Sequence, residues 1–203
     1  MMGARGPTPM SAGPAPRGAS GSKRRRLRLW VALGVGAVGL GLVAVLATAP
    51  AFTQIEADSP LLGQPAPAIT GTTLADQRFS LSDFSGHFVV VDFLASWCVA
   101  CRAEQPQLSA FVAEHAAAPK GPRLVGVIFS DSAGAVRIFL GREVAAFPVI
   151  PDPQGALALD YGVRLPPEKY LIDPSGRIIE KFLGPVTRLD LDRVIARAEL
   201  DGS

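Results

Sequence analysis

From residue 63 onward the chain alternates short apolar runs with helical stripes. Residues 69–72 and 78–81 flank Ala75-Asp76-Gln77 and read as a hairpin. Ser82-Asp83-Phe84-Ser85-Gly86 is a turn into the run 88–94. That run is almost wholly apolar and rich in β-branched residues, which predicts a strand buried on both faces. The pattern then turns helical: Leu108, Phe111 and Val112 form one stripe with His115 at the next turn, and Pro106 in the interior predicts a kink. Residues 123–129 read as a second strand, 132–144 as a helix, 147–150 as a short strand and 155–161 as a short helix. Residues 170–173 and 177–182 flank the turn Pro174-Ser175-Gly176. A last helix starts at Thr187, with Asp190 as its capping-box partner and Leu191, Val194, Ile195 and Ala198 as its stripe. The sum is an α/β domain over 63–200, a mixed central sheet with helices on both faces. No internal repeat is visible.

The first sixty residues are of another kind. Residues 1–28 hold seven Lys or Arg, no acid, and many Pro, Gly, Ala and Ser, the composition of a disordered basic tail. Residues 29–49 carry no charge, and at about 1.5 Å per residue they match the roughly 30 Å core of a bilayer. Lys23, Arg24, Arg25, Arg26 and Arg28 lie directly before that run. The positive-inside rule therefore puts the N-terminus in the cytoplasm and exports everything after residue 50. Ala47-Thr48-Ala49 fits the small-residue cleavage pattern of a signal peptide, the competing reading. The run is long for a signal peptide, so an uncleaved membrane anchor is preferred, with twin-arginine export a weaker alternative. GxGxxG at 34–39 lies inside this run, neither after a strand nor within a soluble βαβ unit, and is read as part of a glycine-rich membrane helix. Residues 50–62 are a tether.

The net charge of +2 belongs to the tail: after residue 28, thirteen bases face all eighteen acids, about −5. No basic stripe interleaved with aromatics is present, which argues against nucleic acid as a partner.

The only two cysteines are Cys98 and Cys101, at the junction of the apolar strand and the helix. At a helix N-terminus the unpaired N–H groups and the macrodipole favour a thiolate, so Cys98 is the candidate nucleophile. Cys101, one turn deeper, can close a short disulfide and resolve a mixed disulfide on Cys98. A zinc ribbon needs four ligands, and His87 and His115 are the only other soft donors, neither at knuckle spacing. Both are read as turn or packing residues. A structural disulfide closing so short a loop would constrain little of the unfolded chain. No cofactor and no metal are implied. Asp92 stands in the apolar strand, where burial should raise its pKa.

The segment 91–101, Val-Asp-Phe-Leu-Ala-Ser-Trp-Cys-Val-Ala-Cys, resembles the active-site strand and helix of thioredoxins. Its continuation over 102–108, with 63–67, 81–86 and 162–173, resembles the membrane-anchored extracytoplasmic thioredoxin-like proteins TlpA, ResA and CcmG, also called DsbE. The resemblance covers residues 60–200. It implies a thioredoxin-like fold and a thiol:disulfide oxidoreductase that keeps exported thiols reduced, those of apocytochromes c included, with electrons from a membrane thiol carrier.

The resemblance also assigns residues. Pro167 takes the cis-proline place. Pro166 departs from the family, because the residue before that proline usually offers the substrate both N–H and C=O and Pro166 has no N–H, which implies weaker or differently registered peptide binding. Asp92 matches the acid that shuttles the proton of the second cysteine. Trp97 shields the disulfide and shapes the docking surface. Glu168 reads either as an acid disfavouring the thiolate or as a solvated strand-end charge, and Glu104 as a surface ion-pair partner. Val99-Ala100 between the cysteines lacks the histidine of strong oxidants, which tilts the reading toward a reductant; the apolar run and the basic cluster before it place that reductant in the cell membrane with its catalytic domain outside. The alternatives are a disulfide oxidase or isomerase of exported proteins and a non-catalytic docking module. A peroxidase is disfavoured because the positions of its Pro-x-x-x-Thr-x-x-Cys pattern hold Val91 and Ala95.

Overall fold

A computed structural model of the chain describes Trp30 and residues 34–38, 40–41, 55–56 and 59–201. The chain divides into two units, Met1–Ala51 and Phe52–Ser203. In the first, Trp30, 34–38 and 40–41 are helical. The basic tail and much of the apolar run 29–49 lie outside the described residues, among which no helix is long and apolar enough to cross a membrane.

Among its described residues the second unit holds eight strands: β1 Ile55–Glu56, β2 Thr70–Thr72, β3 Arg78–Ser80, β4 Val89–Leu94, β5 Arg123–Ile128, β6 Val149–Pro151, β7 Glu168–Ile172 and β8 Ile178–Leu183. Its helices are α1 Val99–His115, α2 Ala133–Leu140, α3 Ala156–Asp160 and α4 Arg188–Asp201. Six strands form a mixed sheet in the order β1-β8-β7-β4-β5-β6, and β2 pairs with β3 as the expected hairpin. β4 runs parallel to β5 and antiparallel to β7, so it has neighbours on both edges and is buried at every residue.

Side-chain alternation sorts β4 between two cores. Val90 and Leu94 pack with Leu124 and Ile128 of β5 against Leu108 and Phe111 of α1 and Leu191 and Ile195 of α4. Val89, Val91 and Phe93 face the other way, onto Ile69, Phe79, Ala158, Tyr161 and Tyr170. Each fully buried Leu or Phe contributes about 1.5–3 kcal/mol. The same parity puts Asp92 on the α1 side and, on β7, Lys169 with Leu171 on the α1 side and Glu168 with Tyr170 on the other.

As the sequence pattern has it, Pro106 lies inside one continuous helix, α1. Three details differ from the sequence reading. The helix expected over 132–144 ends at Leu140, because Gly141 takes φ 55°, a conformation glycine tolerates and a helix does not; a 3-10 turn, Gly141–Ala145, follows. β1, inside the stretch read as a tether, pairs antiparallel with β8. β7 starts at Glu168, two residues earlier than expected, with its first two residues both charged and both buried.

Candidate active site

β4 ends in a tight turn, residues 95–97, that delivers Cys98 to the start of α1. Ser96 N–H donates to Asp131 Oδ2 at 2.7 Å, Arg102 Nε donates to the Ser96 carbonyl at 2.8 Å, and the Trp97 indole N–H donates to the Ser130 carbonyl at 3.2 Å. Cys98 is the N-cap of α1, with extended backbone (φ −77°, ψ 111°), and its Sγ accepts the Cys101 N–H at 3.0 Å. A sulfur there satisfies one of the orphan donors of the helix end, and a thiolate would satisfy it better.

Cys98 and Cys101 are joined as a disulfide, with Cα atoms 5.2 Å apart. Cys98 is 5 % exposed and Cys101 1 %, whereas Trp97 beside them is 51 % exposed. Solvent and partners therefore reach the Cys98 edge of the bond first. Trp97 is a surface residue held by its indole. The Pro166–Pro167 peptide bond is cis, and the Pro166 carbonyl oxygen lies 3.5 Å from Cys98 Sγ. Both prolines, with Arg164, Leu165 and Glu168, line an open groove of about 850 Å³.

On the α1 face lies a buried charge cluster. Lys169 sits opposite Asp92 in the β7–β4 register, and its Nζ is 3.2 Å from Asp92 Oδ1. The same ammonium reaches Glu104 at 2.7 Å (Oε2) and 2.8 Å (Oε1). Val186 N–H adds a bond to Glu104 Oε2 at 3.0 Å. Glu104 is thus not the surface ion-pair partner expected. It follows Cys101 by three residues on the buried stripe Cys101, Glu104, Leu108, Phe111, which puts it beside that cysteine on the helix. Burial drives the Asp92 carboxyl above its ordinary range, against the pull of Lys169. Burial also raises Glu104, against Lys169 and reinforced by the charge of Asp92, from 4.5 to about 7. Two acids share one base here, and burial holds both carboxyls above their ordinary range. The oxygens of Glu104 are engaged by Lys169 and Val186, whereas Asp92 Oδ1 has no aligned hydrogen-bond donor.

Glu168 belongs to the opposite face. It is buried, which removes the solvated reading: Oε1 accepts the N–H groups of Arg164 (2.9 Å) and Leu165 (3.1 Å), and Oε2 lies 2.9 Å from Lys181 Nζ. Burial pushes the Lys181 ammonium down, but Tyr170 and Glu168 outweigh it and hold it above its ordinary value. Its Nζ also stands 5.1 Å from the Tyr170 ring centroid, a cation–π contact. Of the two histidines, His115 pairs with Asp192 at 2.9 Å and His87 Nδ1 meets the Gly121 carbonyl at 2.9 Å; both are away from the thiols in their bonding.

Lys169 is the residue that sequence reasoning missed. Its signal was weak but present: a lone acid inside an apolar strand, Asp92, needs a cation, and the Glu-Lys pair lies next to the cis-proline segment.

A helix-capping disulfide at the end of a central parallel strand, facing a cis-proline carbonyl across a six-stranded mixed sheet, defines a thioredoxin-like thiol:disulfide oxidoreductase. The Redoxin family profile matches residues 61–196. The chain belongs to that family and, within it, to the group typified by TlpA, ResA and CcmG. It is 36 % identical over 136 residues to a thiol:disulfide interchange protein DsbE homolog of Paracoccus denitrificans, covering 65 % of this chain and 72 % of that one. It is 28 % identical over 136 residues to the thiol-disulfide oxidoreductase ResA of Bacillus thuringiensis subsp. konkukian, covering 67 % and 78 %. Among solved structures, a thioredoxin-family thiol:disulfide interchange protein of Chlorobium tepidum superposes with a TM-score of 0.60 at 25 % identity, covering 70 % of this chain and 99 % of that one.

Proposed function

We propose that this oxidoreductase is anchored in the cell membrane through residues 29–49 and reduces disulfides of exported proteins on the outer side, those of apocytochromes c among its substrates, drawing electrons from a membrane thiol carrier. The observation that carries the reductive direction is the composition of the buried cluster behind the thiols. Two carboxylates against one ammonium, together with a dipeptide free of cations, oppose a thiolate and so favour the disulfide over the reduced pair. That lowers the reduction potential.

In the proposed reaction the Cys98 thiolate, held by the Cys101 N–H and the helix end, attacks one sulfur of a substrate disulfide. A Cys98–substrate bond forms, and the other substrate sulfur leaves as a thiolate. Asp92, whose Oδ1 lacks an aligned donor, takes the Cys101 proton. Cys101 then attacks Cys98 Sγ, expelling the second substrate sulfur and closing the Cys98–Cys101 bond. The substrate gains two electrons and the pair loses two. Trp97, Pro166 and Pro167 receive the substrate backbone, with the Pro166 carbonyl as acceptor and no N–H to offer from that residue. Glu168 serves the site by holding the Arg164–Leu165 turn before the prolines.

Trapping tests the roles. Cys101→Ser in the full chain, expressed in cells, is expected to accumulate mixed disulfides with exported proteins, and Cys98→Ser to accumulate none. Undiminished function in a Cys98→Ser, Cys101→Ser double variant would contradict the reading and leave a docking module in its place.

A further inference from the structure

Behind the active-site turn lies a second segment, residues 129–132, which leaves the end of β5 alongside the end of β4. Phe129 N–H donates to the Leu94 carbonyl at 2.9 Å, so the two strand ends are joined just before both chains turn. Ser130 takes φ 45°, a left-handed conformation unusual for a residue with a side chain. That backbone aims the Ser130 carbonyl at the Trp97 indole and leaves Asp131 beneath Ser96. Asp131 joins the two segments: Oδ2 accepts from Ser96 N–H at 2.7 Å and Oδ1 from Ser132 N–H at 2.6 Å. Partial burial pushes its carboxyl up, but the donors from Ser96 and Ser132 outweigh this and hold it below the ordinary Asp value. The charged group facing the turn from α1 is Arg102, on the Ser96 carbonyl. Ser96 is therefore gripped at both its N–H and its C=O, two residues before Cys98.

We propose that Asp131 is a positioning residue that clamps the Ser96–Trp97 turn so that Cys98 stays in place as the N-cap of α1. The proposal rests on the reading of Cys98 as nucleophile. Asp131 bonds to neither sulfur in the structure; it fixes the backbone from which Cys98 departs. When the clamp is released, Cys98 Sγ spends less time on the Cys101 N–H and the helix end, and the thiolate loses its stabilisation.

The sign of the effect separates positioning from simple charge. A carboxylate acting only through its field opposes a nearby thiolate, so its removal would make Cys98 more reactive. A clamp does the reverse. The experiment measures iodoacetamide alkylation of the reduced full chain across pH 5–9, with Cys98→Ser as the control that identifies the reacting thiol. Wild type, Asp131→Asn and Asp131→Ala are compared at urea concentrations where each is shown to be folded. Trp97 emission is followed in a Trp30→Phe background, since the chain has two tryptophans. Asp131→Ala is expected to slow Cys98 alkylation at pH 7 by about fivefold, through a raised pH midpoint, and to shift Trp97 emission to the red. Asp131→Asn, whose amide oxygen can still accept from Ser96 N–H, is expected to fall between Ala and wild type. Unchanged or faster alkylation in both variants would overturn the clamp, as would equal slowing by Asn and Ala. If the wild-type alkylation persists in Cys98→Ser, the nucleophile assignment itself fails, a result distinguishable from failure of the clamp.

Discussion

On the α1 face of the sheet two carboxylates share one ammonium, and on the opposite face one carboxylate meets one. Asp92, Lys169 and Glu104 are almost wholly buried, and the single lysine contacts both acids. Glu168 and Lys181 are matched in charge, and Glu168 has two backbone N–H donors besides. The balanced pair behaves as structure: it pins the turn before the prolines. The unbalanced trio lies on the face that carries Cys101, with one more acid than base. Neighbouring residues of one strand, Glu168 and Lys169, thus feed opposite faces and opposite tasks, because a strand alternates its side chains.

The largest effect is expected from removing the lysine of the trio. Lys169→Met leaves two buried acids without a cation, and the expected loss is about 3–5 kcal/mol of unfolding free energy at pH 7, read from urea denaturation. Partial recovery at pH 5, where the acids are protonated, would identify charge as the cause.

Next in size is a pH effect confined to the α1 face. Glu104 titrates near 7 in the folded chain against 4.5 as its ordinary value, so between those values the native state binds more protons than the unfolded one. Its contribution to stability is fully present below about pH 4.5 and is lost as pH rises through 7, of order 3 kcal/mol in all. Urea midpoints taken from pH 5 to 8 should therefore fall in the wild type. Glu104→Gln should flatten most of that slope, and Glu168→Gln should leave it in place.

The smallest change is expected at Lys181. Lys181→Met keeps the aliphatic packing over Tyr170 and leaves Glu168 with its two N–H donors, so a loss of about 1–2 kcal/mol is expected in the same assay. A loss equal to that of Lys169→Met would erase the distinction between the faces.

The sequence made some of this legible. The disulfide pair, the strand leading into it and the hairpins carry local signals of spacing, apolar runs and turn residues, whereas the cis-proline place of Pro167 was legible only through the family resemblance. Asp92 announced itself as a polar interruption of an apolar strand. Its partner did not, because Lys169 comes from β7 and Glu104, 65 residues before it in sequence, from α1; only the fold brings them together. Two adjacent charges at the start of a strand resemble a loop, which hid both the true start of β7 and the burial of Glu168. Glu104 resembled a surface charge because its helix is polar around it, although it lies three residues from Cys101 on the buried stripe. Gly141 is a helix breaker by its φ, yet a glycine within an otherwise helical pattern is often tolerated. The Asp131 clamp depends on two loop ends meeting, which no periodicity encodes.

If the acid-rich face makes the Cys98–Cys101 couple a reductant, as proposed, the reduction potential of that couple is where it shows. Equilibration of the full chain with dithiothreitol or glutathione buffers at pH 7 is expected to give a value below about −230 mV, toward thioredoxin. A value above about −180 mV, toward the strong oxidants, would reverse the proposed direction of electron flow and assign the protein to disulfide formation or isomerisation.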